Sequence, residues 1–321
     1  MEGDFTKLQE DPLSLPPSLV RLELYAFRDE LGPAPSGLRE LYLCASGSSG
    51  VIPHPLLTDR ADFNRDDARQ TFYQEAAKII RPALPTLRVL HVGGLHADEP
   101  YSLIPSRACI QALHDLPHPH LEELCLYDWE LHWEDVLPLL SPGVTTVQIK
   151  NCLFAPDHPP SDRVIIPPLP QGVASLKVSS CCCNYDIVAF SRLPDTLRHL
   201  DVEIGDMVVE VEQPLPTLLD SFTWISEGNI IVTGRMLPAG LRMLDLWGDF
   251  DQPLVDLLPG LRVLKLGLYE HPLPQLPDTL ETPVLDGCTH HITTLPAGLR
   301  SLSVYWQPPF HAPRLPLRAA A

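Results

Sequence analysis

The sequence predicts an α/β solenoid, in which short strands from successive repeats stack into one parallel sheet. Three observations lead to this prediction. A phrase of the form Leu-Pro-x-x-Leu-x-x-Leu-x-Leu recurs along the chain. The 321 residues include 36 Pro, which long α-helices cannot accommodate because each proline removes a backbone donor and clashes with the preceding turn. Hydrophobic residues make up 45% of the chain, which is enough for a packed core.

The repeat is clearest towards the C-terminus, where the lead Leu237-Pro238 precedes Leu241, Leu244 and Leu246. Leu-x-Leu alternation places two apolar side chains on one face of a short strand. We take the first apolar residue of each triplet as its anchor. The chain has twelve anchors: Leu19, Leu38, Leu87, Leu121, Val144, Val173, Leu197, Leu219, Leu241, Leu261, Leu280 and Leu299.

The spacing of the anchors is typical of a leucine-rich repeat. Nine of the eleven intervals between anchors lie between 19 and 29 residues. One strand cannot bury its apolar face alone, whereas a dozen stacked in parallel form a continuous core. Two triplets are degenerate, since Phe222 and Trp224 fill one and Pro283 interrupts another. We expect Leu200, Leu244, Leu264 and Leu302 to be almost fully buried.

The segments between strands are predicted to be mixed helical and extended on the convex side, with the parallel sheet on the concave side. Residues 59–80 contain no Pro or Gly and predict a helical insertion at about 59–81. Shorter helices are predicted at 106–116 and 133–140, and extended segments from about Val173 onward. The predicted organisation is an N-terminal cap segment at 1–14, a single solenoid at 15–310 and a flexible tail at 311–321.

Three of the eight cysteines fall at one repeat position. Cys152, Cys181 and Cys288 each lie three residues beyond the last apolar residue of a triplet, where the consensus has Asn or Cys. This position predicts buried, reduced thiols that bond to neighbouring backbone in the turns. The three consecutive cysteines at 181–183 also suggest a metal or redox site. Adjacent residues of an extended chain point to opposite faces, however, so the three thiols cannot all converge on one ion. Packing is therefore the favoured interpretation.

One segment resembles a narrower family. From Leu241 to Leu254 the chain resembles the FNIP repeat, with Phe250, Pro253 and Leu254 matching and Asp251 in place of Asn. Residues 267–273 are a fainter copy. The resemblance implies a repeat-built interaction module, and some members of that family carry an F-box that links them to ubiquitin ligases. No F-box is evident here. The Leu-Pro pairs that precede the strands also resemble those in the repeat domains of bacterial effector ubiquitin ligases.

Charge and hydropathy exclude several classes of function. The 23 Lys+Arg and 41 Asp+Glu give a net charge of −18, which phosphate backbones repel, so we expect no nucleic-acid partner. No stretch approaches the ~20 apolar residues that span a bilayer, so we expect no membrane partner. The N-terminus does not resemble a signal peptide, which predicts a cytoplasmic protein.

No catalytic motif is recognisable. The chain lacks a Gly-x-Ser-x-Gly elbow, a P-loop and His-Glu-x-x-His, so we predict that it is not an enzyme and that it has no cofactor. His114, His118 and His120 have a spacing that metal ligands can have, and His290-His291 is a second histidine pair. A solvated turn is the favoured interpretation of each histidine group, so no metal site is predicted.

The candidate functional residues are aromatic side chains that strand alternation turns away from the core. Positions two, four and six after each anchor are expected on the concave face. Aromatic residues among charges are typical of a protein-binding surface, although strand propensity alone also favours them. The predicted partner-binding residues are Tyr25, Tyr42, Tyr127, Trp247 and Tyr305.

These observations predict a non-catalytic intracellular scaffold that binds a protein with a basic surface on its concave face. The substrate-recognition subunit of a ubiquitin ligase and a structural component of a large assembly remain as alternatives.

Overall fold

The structure is a computed structural model, and the secondary structure that it describes is almost entirely β. It describes residues 15–25, 34–44, 83, 85–93, 120–127, 130–131, 133–154, 163–181, 187–205, 208–211, 213–226, 237–248, 253–254, 257–269, 271–287 and 294–305. Twelve of its strands form one sheet: β1 (Arg21–Tyr25), β2 (Glu40–Cys44), β3 (Val89–Gly93), β4 (Glu123–Tyr127), β6 (Thr146–Lys150), β9 (Ser175–Cys181), β11 (His199–Ile204), β13 (Ser221–Ser226), β14 (Met243–Gly248), β15 (Val263–Gly267), β16 (Thr282–Asp286) and β17 (Ser303–Tyr305).

These twelve strands lie in the order in which they occur along the chain, and every pair of neighbours is parallel. One of them follows each of the twelve anchors. The prediction of a parallel solenoid built from leucine-rich repeats is therefore confirmed.

The triplets align across the sheet and form the core. Leu244 of β14 pairs in register with Phe222 on one side and Leu264 on the other, and all three are fully buried. The prediction of burial is confirmed for Leu200 as well, but it is wrong for Leu302, whose exposed fraction is 39%. Leu302 directly precedes β17, the terminal strand of the described sheet, so no further described strand covers it.

The two degenerate triplets still form strands. Phe222 and Trp224 are both fully buried in β13, with their rings 5.6 Å apart in an edge-on contact. Pro283 lies within β16 and pairs in register with Leu264. A proline cannot donate to the ladder, which usually confines it to edge strands. Here the register set by the neighbouring repeats keeps β16 in the sheet.

Most of the described strands are entered through a tight turn. In eight repeats the anchor N–H donates to the carbonyl of the proline three residues before it, at 3.0–3.3 Å, and seven of these prolines belong to a Leu-Pro pair. The residue before the anchor is Gly or Thr in nine of the twelve repeats. A Cβ at Gly172 would lie 2.6 Å from a carbonyl oxygen of the previous repeat. At the same position of another repeat, Thr86 donates its Oγ1 hydroxyl to the Leu38 carbonyl of the previous repeat at 2.8 Å.

The segments that return between strands differ from the prediction. Helix α1 (Trp133–Val136) and the 3₁₀ helix Leu137–Leu139 fall within the helix predicted at 133–140. The helices predicted at 59–81 and 106–116 lie outside the described residues. No helix in the described parts of the chain is both long enough and apolar enough to cross a membrane.

Several of the described return segments between β4 and β13 contain short strands, whereas those from residue 213 onward contain neither helix nor strand. Two short parallel sheets form there: β5 (Glu130–Leu131) with β7 (Leu153–Phe154), and β8 (Arg163–Ile166), β10 (Ile187–Phe190) and β12 (Val208–Val211). The last three are rich in Val and Ile, which favour strands. The description of the convex side as mixed helical is therefore unsupported among the described residues.

The cysteine prediction holds for one of its three members. Cys152 is buried in the turn after β6, and its thiol donates to the Lys150 carbonyl at 3.2 Å and to the Leu126 carbonyl at 3.6 Å. Cys181 is instead the last residue of β9, where its backbone pairs with Ile204 after a shift of register. It lies in a strand rather than a turn. Its side chain and Cys288 lie outside the described residues.

A left-handed residue ends several strands. Asn151, Gly248, Leu268 and Gly287 all have positive φ, between 49° and 107°, and each lies seven residues after its anchor. The N–H of Leu268 donates to the carbonyl of Asp286 on the next strand at 2.8 Å. Gly and Asn adopt this conformation at low cost, whereas a leucine is strained in it by roughly 1–2 kcal/mol.

Leu268→Asn should therefore stabilise the protein by roughly 0.5–1 kcal/mol, because asparagine tolerates the left-handed conformation and the Leu268 side chain is already 50% exposed. The midpoint of urea unfolding measures the effect. Leu268→Ala is the control, since it removes the same apolar side chain but keeps the strain. A lower stability of the asparagine variant than of the alanine variant would contradict this explanation.

Candidate interaction surface on the concave face

The side of the large sheet that faces away from the leucine core carries positions two, four and six after each anchor. We call it the concave face, after its predicted curvature. Strand β11 shows the alternation: Leu200, Val202 and Ile204 are buried, while Asp201 and Glu203 between them are partly exposed. Side chains on this face are thus separated from the core by the sheet itself.

The five predicted binding residues are distributed over this face rather than gathered at one point. Tyr42 lies on β2, Tyr127 on β4, Trp247 on β14 and Tyr305 on β17. Tyr305 is the most open, at 59% exposed, and the others in this group are partly buried. Tyr25 pairs through its backbone with Cys44, and its side chain is outside the described set.

Two of the aromatic residues lie against a glycine of a neighbouring strand. A Cβ at Gly93 would lie 2.1 Å from the ring of Tyr127, and a Cβ at Gly267 would lie 2.4 Å from the ring of Trp247. Tyr127 also donates its hydroxyl to the Leu43 carbonyl, two strands away, at 3.2 Å. These rings are therefore held flat across the sheet, and glycine is needed beneath each of them.

A connected group of polar and aromatic side chains, which we call the N-terminal cluster, crosses five strands. The Arg21 guanidinium lies 4.4 Å from the centre of the Tyr42 ring, and the Tyr42 and His91 rings are 4.4 Å apart. Glu123 Oε1 lies 2.9 Å from His91 Nε2 and accepts a hydrogen bond from Gln148 at 3.0 Å. Sequence reasoning identified Tyr42 alone. The other members share positions two and four of successive repeats, which was the available signal.

Burial changes the titration of two groups in this region. Burial raises the pKa of the Tyr42 phenol, against the opposing charge of Arg21. Burial also raises the pKa of the Cys125 thiol to about 11, with Lys150 opposing the shift. A thiol must ionise to act as a nucleophile, so Cys125 is unreactive near neutral pH.

The C-terminal half of the face carries ion pairs at position four. Lys265 donates to Asp245 Oδ2 at 2.6 Å, and Lys177 donates to Asp201 at 2.5 Å. The Asp245 side chain is only 6% exposed, whereas that of Asp201 is 30% exposed. Asp245 Oδ1 is buried without a hydrogen-bond partner. A buried carboxylate oxygen in that state carries a desolvation cost that no contact offsets.

Position six of the same strands forms a second row, which we call the position-six row. Glu203 pairs in register with Ile225, Ile225 with Trp247, and Gly267 with Asp286. Trp247 and Gly267 are not paired in the ladder, but the Trp247 ring lies over Gly267 and so connects these two strands of the row. Among the described residues, the Glu203 and Asp286 side chains form no ion pair.

Possible metal ligands are not gathered in the described part of the chain, where no three His, Cys, Asp or Glu side chains are placed to hold an ion. His120 is exposed in the turn before β4. His114, His118, His290 and His291 lie outside the described residues, so the sequence interpretation of them stays a prediction.

Comparison with known proteins adds little. No family model matches the chain, and no curated protein matches it. Among solved structures, the circular leucine-rich-repeat protein CroV588 aligns with 92% of this chain and 48% of its own, at 14% identity and a TM-score of 0.30. This chain thus spans about half the length of that protein. At that TM-score the likeness carries no argument, and the fold assignment rests on the sheet described above.

Proposed function

We propose that the protein is a non-catalytic cytoplasmic scaffold that binds a protein partner on its concave face. The observation that carries the proposal is the fixed presentation of Trp247, which is half-buried against Gly267 among charged side chains of the same face. Tryptophan is enriched among the residues that dominate binding energy. A side chain already held in place loses little conformational entropy when a partner binds.

The rest of the face supports the same proposal. In the N-terminal cluster, ring contacts and hydrogen bonds fix Tyr42, His91 and Glu123 before any partner arrives. Parallel strands hydrogen-bonded on both sides hold these groups at fixed spacing. A broad, preorganised surface of mixed aromatic and charged groups suits a protein rather than a small molecule.

The net charge of −18 favours a basic partner, because opposite charges accelerate encounter and like charges oppose it. The resemblance of residues 241–254 to the FNIP repeat favours one alternative, the substrate-recognition subunit of a ubiquitin ligase with catalysis supplied by another chain. A structural role in a large assembly is the other alternative. Identification of the proteins that co-purify separates the three, since a ligase subunit brings ubiquitin machinery with it.

Trp247→Ala should weaken the binding of a partner isolated by pull-down by at least ~1 kcal/mol, because it removes the central aromatic contact. Association should also slow as salt concentration rises, because ions screen long-range attraction. Titration of the purified partner at two salt concentrations measures both effects. Thr146→Ala, on the same face in the other half, is the control. Equal affinity of wild type and Trp247→Ala, or a footprint confined to the convex side, would refute the proposed site.

A further inference from the structure

We infer that the position-six row from Glu203 to Asp286 binds an extended peptide segment in which two basic side chains flank two apolar ones. The inference rests on the proposed function and specifies the partner chemistry for one part of the concave face. The row has an apolar centre, formed by Ile225 and Trp247, and a carboxylate at each end. Ile225 is solvent-exposed, so its apolar surface is open to a ligand.

The dimensions of the row match an extended chain that crosses the strands. Glu203 on β11 and Asp286 on β16 are separated by four strand spacings, or about 19 Å at ~4.8 Å each. Residues i and i+6 of an extended peptide are about 20 Å apart at ~3.3 Å per residue, and they point to the same side. Basic residues at i and i+6 therefore meet the two carboxylates. Residues i+2 and i+4 then fall over Ile225, Trp247 and Gly267.

The charges single out the two ends of the row. The nearby acidic residues at position four are already paired, Asp201 with Lys177 and Asp245 with Lys265. Glu203 and Asp286 have no such lysine among the described residues, so their negative charge is available to a ligand. At about 19 Å apart they cannot share one cation, and two separate basic groups are required.

An independent feature at position four, next to the row, also indicates a ligand. Asp245 lies two residues before Trp247 on β14, so both side chains belong to the concave face. Its Oδ1 oxygen is buried without a hydrogen-bond partner. A donor from a bound segment, such as a backbone N–H, would satisfy this oxygen after a small rotation of the side chain.

The other half of the face lacks these features at position six. Gly93 is covered there by the Tyr127 ring, and the next residue in the row, Lys150, is a cation without an ion pair to any described residue. A basic segment would be repelled by Lys150. The chemistry therefore places the segment on the C-terminal half, across β11 to β16.

Selection of a displayed library of random ten-residue peptides on the full-length protein tests this inference. We expect enrichment of peptides with Lys or Arg at i and i+6 and apolar residues at i+2 and i+4. The selected peptide, made synthetically, should bind at least tenfold more weakly to the double variant Glu203→Gln, Asp286→Asn. Asp195→Asn, Asp278→Asn is the charge-matched control, because it removes the same number of carboxylates from exposed turns outside the row.

Three results would overturn the inference: no enrichment, enrichment of peptides without the basic pair, or an equal loss of affinity in both double variants. The last would mean that net charge alone attracts the peptide. Different results distinguish a failure of this inference from a failure of the proposed function. If a pulled-down partner loses affinity on Trp247→Ala while the library yields no such peptide, the concave face binds a partner of different chemistry. If no partner contacts the concave face, the proposed function itself is wrong.

Discussion

Leu244→Ala should lower the free energy of unfolding by about 2–5 kcal/mol, which is the combined cost of lost burial and of the cavity left behind. Leu244 is fully buried in the middle of the solenoid, between Phe222 and Leu264 of the adjacent strands. Both neighbours are held by their own strands, so the cavity cannot close by a simple collapse. Urea unfolding followed by circular dichroism measures the loss.

Leu302→Ala is the matched control, because Leu302 occupies the same place in the last repeat as Leu244 does in its own. Its exposed fraction is 39%, so its truncation removes less buried area and leaves no closed cavity. We expect a cost of about 1 kcal/mol or less. Equal losses for the two variants would contradict the burial gradient between the inner repeats and the last one.

Lys265→Met should be the next most damaging change, lowering the free energy of unfolding by about 1–3 kcal/mol. The methionine keeps most of the side-chain volume but leaves the Asp245 carboxylate buried without its cation. Breaking a fully buried pair costs more, and the 34% exposure of the Lys265 side chain reduces the effect here. Thermal or urea unfolding measures the change.

Two further variants isolate the cause. Lys177→Met removes the same kind of lysine from a pair in which Asp201 is 30% exposed, so water can replace the lost contact and the cost should be small. Adding Asp245→Leu to Lys265→Met should recover most of the loss, because no buried charge then remains. Equal costs for Lys265→Met and Lys177→Met would show that burial of Asp245 does not set the effect.

The candidate site was only partly predictable from the sequence. Strand alternation places Tyr42, Tyr127 and Trp247 on the face opposite the core, because a side chain's face depends only on local parity. The sequence does not indicate which of these side chains contact one another. Trp247 lies over Gly267, and Glu123 joins His91 to Gln148, through contacts between residues 20 to 32 positions apart.

By itself, the sequence determined the repeat, the twelve strand positions and their parallel stacking, because each anchor triplet is a local pattern that only a neighbouring repeat can bury. The tertiary structure decided what depends on neighbours. It left Leu302 exposed in the last described repeat, placed Cys181 in a strand through a shift of register, and paired the Val- and Ile-rich return segments into a second sheet. The physical reason is that burial and pairing are set by the facing residues, whose identity a local pattern does not contain.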